Sequence, residues 1–250
     1  MSSVSKGKFF LAILSVLILV ALWGPMFFIL NKGASVEGFL TLFQKDEIWD
    51  ATKQSLGLAT VSSFFSVLFG TMIAFAIPKV PKKWQERLNF SLVFPMILPE
   101  IAFGLALMVF FVKLGIPLGW QTLLFSHVAF SLSYSTLLMK IRVESLDLSL
   151  IDAAKDLGAT PLVIFKHALL PQLIPSMAAA FVTSFALSLD DFLVSFFVKG
   201  IDQRTLPIQI YSMMRLGVKN EIYSLFVILF CISIAVVLST QLWLKKGKKL

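Results

Sequence analysis

Residues 149–191 read SLIDAAKDLGATPLVIFKHALLPQLIPSMAAAFVTSFALSLDD, and the two halves of the stretch carry different patterns. Ser149 is a good helix N-cap, and Asp152 three residues on can reach back to the cap's own amide, so a short helix is expected to start here. Gly158 ends it, because a residue without a Cβ enters the left-handed conformation that closes helices, and Thr160-Pro161 restarts one as cap and first-turn proline. The second helix is expected to run to about Leu170. Pro171 and Pro175 then bracket a junction with the apolar run beginning at Ser176, which reads as a membrane span and meets two adjacent carboxylates, Asp190 and Asp191. A small amphipathic hairpin, 149–171, is thus joined to a transmembrane helix.

The whole chain agrees with a membrane setting. Its 250 residues are 58% hydrophobic, with 25 phenylalanines and a mean hydropathy of +0.88. Soluble domains average only about 45–50% apolar. Spans are expected at about 9–30, 55–77, 88–112, 120–139, 176–198 and 222–244. The first run is longer than a signal-peptide core and lacks a small-residue cleavage site, so it is expected to stay as an anchor. The third contains Pro95, Pro99 and Glu100 and is expected to be a broken helix, since prolines free backbone carbonyls that neighbours or a wet cavity must satisfy. The single cysteine, Cys231, excludes an intrachain disulfide and is expected to be a small buried hydrophobe.

The net charge of +8 would suggest nucleic acid in a soluble protein. Here the basic residues lie in loops beside spans, so membrane orientation accounts for them and no nucleic-acid partner is expected. Lys6, Lys8, Lys79, Lys82, Lys83, Arg87, Lys140, Arg142, Lys155, Lys166, Lys245, Lys246, Lys248 and Lys249 share one side, which is most of the 22 Lys and Arg. Both termini and the hairpin are therefore expected in the cytoplasm.

The chain has no G-x-x-x-x-G-K-[ST] phosphate loop and no His, Cys or Asp cluster at metal-ligand spacing. It is read as no enzyme, with neither cofactor nor metal. His127 is expected to be a helix-packing polar group, and His167 a surface residue of the hairpin.

Asp152-Ala153-Ala154, Gly158, Leu170-Pro171 and Pro175 resemble the cytoplasmic EAA loop of ABC-importer permeases, the MetI-like superfamily, with Asp152 where that family usually has Glu. From Asp152 to Ser212, including LSLDDFLVSFFV and LPIQIYSMMRLGV, the chain is similar to the polyamine (spermidine/putrescine) branch, in particular its second permease subunit. The resemblance implies an all-α membrane protein of six transmembrane helices with the MetI-like ABC permease fold. It also implies a multi-pass protein of the cell inner (plasma) membrane that pairs with a second permease subunit, two ATPase subunits and an extracytoplasmic polyamine-binding protein. ATP hydrolysis would take place in the ATPase subunits, docked at Asp152, Ala153, Ala154, Gly158 and Pro171.

Three acids remain as candidates for a substrate path: Glu100, Asp190 and Asp191. An intramembrane carboxylate is costly and usually faces a bundle interior or a water-filled path. Counted along ideal helices at ~1.5 Å per residue, Asp190 lies ~21 Å and Glu100 ~18 Å into their spans, at similar depth. No predicted span of this chain carries a Lys or Arg to neutralise them, which favours a cationic substrate. Phe192, Phe196 and Phe197 could add cation–π contacts, but packing accounts for them as well. Two other readings stay open at this point: an ABC permease for another small solute, and a secondary transporter working without ATP.

Overall fold

The computed structural model describes residues 3–33, 35–217 and 219–247, and these are almost entirely helical. In chain order the helices are α1 Ser3–Gly33, α2 Val36–Phe43, α3 Asp46–Ala76, α4 Lys82–Ile97, α5 Glu100–Lys113 and α6 Trp120–Glu144. There follow α7 Leu148–Asp156, α8 Pro161–Ile164, α9 Leu170–Asp190, α10 Leu193–Val198, α11 Leu206–Arg215 and α12 Asn220–Gly247. Among the described residues, Asp46–Lys79, Trp120–Glu144 and Pro161–Asp190 are each long and apolar enough to cross a bilayer, and five spans result if each bent pair counts as one. The sixth expected run falls on α12, and Lys248 and Lys249 of the basic tail lie outside the described residues.

Two compact units share these helices: Met1–Ile48 with Ile210–Leu250, and Trp49–Gln209. In the first, α1 and α2 pack against α12, and small residues let them come close. A Cβ added at Gly33 would sit 2.6 Å from Val227 Cγ2, and the Ser224 hydroxyl donates to the Gly33 carbonyl at 3.1 Å. Lys45 pairs with the buried Glu221 at 2.5 Å. Glu221 lies in the first turn of α12, where the helix dipole also favours a carboxylate.

The second unit is organised by α6 and α9, with α3 against them. Lipid is as apolar as leucine, so helices in a membrane gain by close packing and by hydrogen bonds between them rather than by hiding apolar surface. The contact is built accordingly from small polar residues: Ser62, Ser66, Ser131, Ser135, Ser184 and Ser188 are all buried. Ser135 and Ser184 hydroxyls meet at 2.7 Å, and Ser66 donates to the Val128 carbonyl at 3.3 Å. Gly70 lets α3 reach α6, since a Cβ there would be 2.9 Å from Thr136 N and 3.0 Å from Ser135 Cβ.

The third expected span breaks at Leu98-Pro99, where α4 and α5 diverge by 109°. A proline disfavours helical torsions in the residue before it, and Leu98 is extended, with ψ 138°. Pro95, by contrast, is accommodated inside α4.

Three local expectations need correction. The cap of α7 is Asp147, not Ser149: its carboxylate accepts from the Ser149 amide at 3.0 Å and from the Ser149 hydroxyl at 2.6 Å, and Asp152 turns to Lys155 at 2.9 Å. No junction separates a second hairpin helix from the span, because α8 continues through one π-helical stretch, Phe165–Leu169, into α9. That widened turn makes room ahead of Pro171, which has no amide to give and whose ring crowds the preceding turn. Finally, Cys231 is exposed on α12 rather than buried, since a helix in a bilayer can turn a small apolar group outward at no cost.

Candidate functional site

The expected span 176–198 is two helices. α9 ends at Asp190, Asp191 is extended with φ −67° and ψ 119°, and α10 starts at Leu193. The Asp191 carboxylate explains the interruption: Oδ1 accepts from the Val194 amide at 3.2 Å, and Oδ2 from the Ser195 amide and hydroxyl, each at 2.7 Å. Asp191 lies one residue before the N-cap position, Phe192, and its side chain satisfies free amides of the new helix as a capping group does.

His127 of α6 fastens this cap to the rest of the unit. Its Nδ1 meets Ser188 Oγ at 2.7 Å and its Nε2 meets Ser195 Oγ at 2.8 Å, while Nε2 lies 3.4 Å from Asp191 Oδ2. The side chains of His127 and Asp191 are only 2% and 7% exposed. Ser62 of α3 joins the network through Ser188 at 3.1 Å. Asp191 is thus held by protein groups on every side the structure describes.

Asp190 and Glu100 differ from it. Both are exposed, and neither has an ion-pair partner among the described residues. They are connected through α5 and α10: Glu100 opens α5, and one turn later a Cβ on Gly104 would lie 3.1 Å from Val194 Cα and from Phe197 Cδ2. The two backbone breaks, at Leu98-Pro99 and at Asp191, therefore belong to one packed pair of short helices. Each break carries one exposed acid.

The aromatic residues of α10 and the Phe192 that precedes it are engaged with one another. Phe192 lies 5.6 Å from Phe196, and Phe196 lies 5.8 Å edge-on to Phe197. A separate cavity of about 390 Å³ between α3 and α9 is lined by Phe64, Val67, Leu170, Ile174, Met177 and Phe181 among others. Its lining carries no carboxylate to pair with an ammonium ion.

In the hairpin, Gly158 has φ +75°. Its amide bonds to the Lys155 carbonyl at 2.8 Å and the Ala159 amide to the Ala154 carbonyl at 3.0 Å, the paired bonds of a Schellman closure. Asp152, Ala153, Gly158 and Pro171 are exposed and Ala154 is half-buried. Leu157 and Leu162 on either side of the turn also face outward. Below, Arg142 Nε donates to the Gln172 carbonyl at 2.9 Å, fixing the hairpin's root to the end of α6. Hydrogen bonds from Ser149 hold the Asp147 carboxyl below the usual carboxylate range. His167 is exposed, as expected, with Nδ1 at 3.2 Å from the Val163 carbonyl.

The network around His127 was not foreseen from the sequence. The signal available was the four-residue spacing of Ser62 with Ser66 and of Ser184 with Ser188, which lays polar side chains along one helix face each.

Comparison with known proteins adds relatives along nearly the whole chain. The chain is 36% identical over 211 residues to the spermidine/putrescine transport system permease protein PotC of Escherichia coli K12, covering 84% of this chain and 80% of that one. It is 32% identical over 200 residues to the putrescine transport system permease protein PotI of the same organism, covering 77% and 71%. Its fold is similar to that of a chain in the crystal structure of a bacterial ABC transporter that imports the acidic polysaccharide alginate, with a TM-score of 0.69, 17% identity and coverage of 94% and 93%. Residues 66–246 match the model of one family throughout, and the chain belongs to that family, the inner membrane components of binding-protein-dependent transport systems.

Proposed function

We propose that this chain is the permease subunit of an ATP-driven polyamine importer of the spermidine/putrescine type and forms half of its translocation pathway. The observation that carries the reading is the identity to PotC over most of both chains, in a protein whose second unit exposes a carboxylate at each of two breaks, Glu100 and Asp190. An elongated polyammonium with few other polar groups is suited to spaced acids in a low-dielectric passage, where charge pairing is worth far more than in water. An anionic solute would find no complementary base there.

The remaining parts follow the same reading. A second permease subunit completes the pathway, an extracytoplasmic polyamine-binding protein delivers substrate, and two separate ATPase subunits hydrolyse ATP. The exposed hairpin with Asp152, Ala153, Ala154, Gly158 and Pro171 is the docking element for an ATPase subunit. Both termini lie in the cytoplasm, on the side rich in Lys and Arg. Asp191 serves the path from behind, by holding the break that presents Asp190.

The test is accumulation of radiolabelled spermidine in proteoliposomes carrying the full complex with its binding protein. ATP-dependent accumulation that survives a protonophore is expected. Accumulation that ignores ATP and collapses with the proton gradient would instead indicate a secondary transporter, and accumulation of an unrelated solute in place of spermidine would indicate a different ABC permease.

A further inference from the structure

His127 is the one imidazole in the serine-lined contact of α3, α6 and α9, and its donors and acceptors can be assigned in turn. An ionised carboxylate only accepts, so Ser195 gives its single hydroxyl proton to Asp191 Oδ2 at 2.7 Å. At the 2.8 Å contact with His127 Nε2, Ser195 Oγ is then the acceptor, and Nε2 carries a proton. On the opposite edge, Ser62 Oγ lies 3.1 Å from Ser188 Oγ and 3.3 Å from the Ala59 carbonyl. Ser188 Oγ in turn meets His127 Nδ1 at 2.7 Å. The imidazole is thus a donor on Nε2, and donation runs from His127 through Ser195 to Asp191.

We propose that His127 is a positioning residue for the cation path: as an Nε2 donor from α6 it locks Ser195 and Asp191, and through the Asp191 backbone it sets the direction in which Asp190 leaves α9. Thr122 of α6 holds the far end of α10, donating to the Val198 carbonyl at 2.7 Å, and His127 is the α6 side chain that meets Asp191 at the break. Without His127, the Asp191 carboxylate keeps only its bonds to Val194 and Ser195 of α10, a helix of 6 residues. The role rests on the reading of Asp190 as a path-lining acid.

Two substitutions separate the edges of the ring. Glutamine can place its side-chain nitrogen where Nε2 lies, whereas asparagine reaches only the Nδ1 position. In the assembled transporter, His127→Gln is expected to keep most of the spermidine uptake, while His127→Asn and Ser195→Ala lower it by about tenfold, the upper range for one intramembrane hydrogen bond. The yield of complex should be equal. A second readout needs no substrate: with Cys231→Ser and Asp190→Cys, a cationic methanethiosulfonate should react at the same rate with and without His127→Gln, and more slowly with His127→Asn or Ser195→Ala. Equal loss in His127→Gln and His127→Asn, or full uptake and labelling in His127→Asn or in Ser195→Ala, would overturn the role. If labelling follows the expected pattern but the unmodified complex accumulates no spermidine, the positioning role stands and the polyamine reading fails.

Discussion

Gly158 offers a perturbation whose size can be worked out from its surroundings. Its φ of +75° places it in the left-handed region, and a Cβ built there meets nothing within 4 Å. Substitution is therefore resisted by backbone conformation alone, with no contribution from clashes. For alanine that resistance is ~1–2 kcal/mol, for valine more, because a branched Cβ restricts the torsions further, and for asparagine less, since it visits this region readily. A shift of ~1–2 kcal/mol lowers the population of the closed turn by a factor of roughly 5–30. Both closing bonds, to the Lys155 and Ala154 carbonyls, open with it. If the turn is what an ATPase subunit grips, apparent affinity should fall in the order unmodified, Asn, Ala, Val while insertion is unchanged. Titrating purified ATPase subunit against the permease pair in nanodiscs measures this order. Binding of Gly158→Val at the unmodified affinity would refute the docking assignment.

Gly70→Ala should cost about 1–3 kcal/mol of packing between α3 and α6, because its Cβ would lie 2.9 Å from Thr136 N; a lower unfolding temperature of the purified subunit reads this, and unchanged stability would contradict the seam. With Cys231→Ser, a cysteine at Lys53 should react with an impermeant thiol reagent in intact cells and one at Lys83 should not, the reverse overturning the orientation. The Asp147 carboxyl has its folded pKa depressed, first by the Ser149 hydroxyl and then by its amide. Its contribution is therefore complete above the ordinary carboxylate pKa and is lost only as pH falls through the lowered one. Asp147→Ala should accordingly weaken ATPase docking by the same factor at every pH from about 6 to 8, and a difference that changes across that range would contradict the cap.

The main features of the fold were legible because membrane helices announce themselves by apolar length and their interruptions by proline and glycine. Gly158 and Pro99 each act through a torsional restriction that travels with the residue. The break at Asp191 was hidden for the opposite reason. Phe192 to Val198 is as apolar as a continuing span, and the carboxylate that ends α9 does so through amides three and four residues on, a relation no hydropathy pattern contains. The cap at Asp147 was missed because Ser149 and Asp152 offer a plausible capping box two residues later. Local rules rank such competitors poorly when each has the right chemistry. Among the acids, the sequence placed three at similar depth, and burial then divided them: Asp191 faces His127 and the amides of α10, whereas Glu100 and Asp190 face outward. That division depends on contacts between residues as far apart as Ser62 and Ser188.

The central claim, that exposed carboxylates at the two breaks receive a polyammonium, is tested most directly by charge removal without change of shape. Spermidine uptake should be measured for Glu100→Gln and Asp190→Asn in complexes that retain their ATPase subunits at the unmodified yield. Uptake is expected to fall by at least about tenfold in each, since an amide keeps the hydrogen-bonding outline but forfeits the pairing that makes an intramembrane cation affordable. Asp191→Asn should behave differently, lowering the yield of assembled complex, because its carboxylate caps α10 and meets His127. Uptake at the unmodified rate in both Glu100→Gln and Asp190→Asn, with normal assembly, would contradict the account.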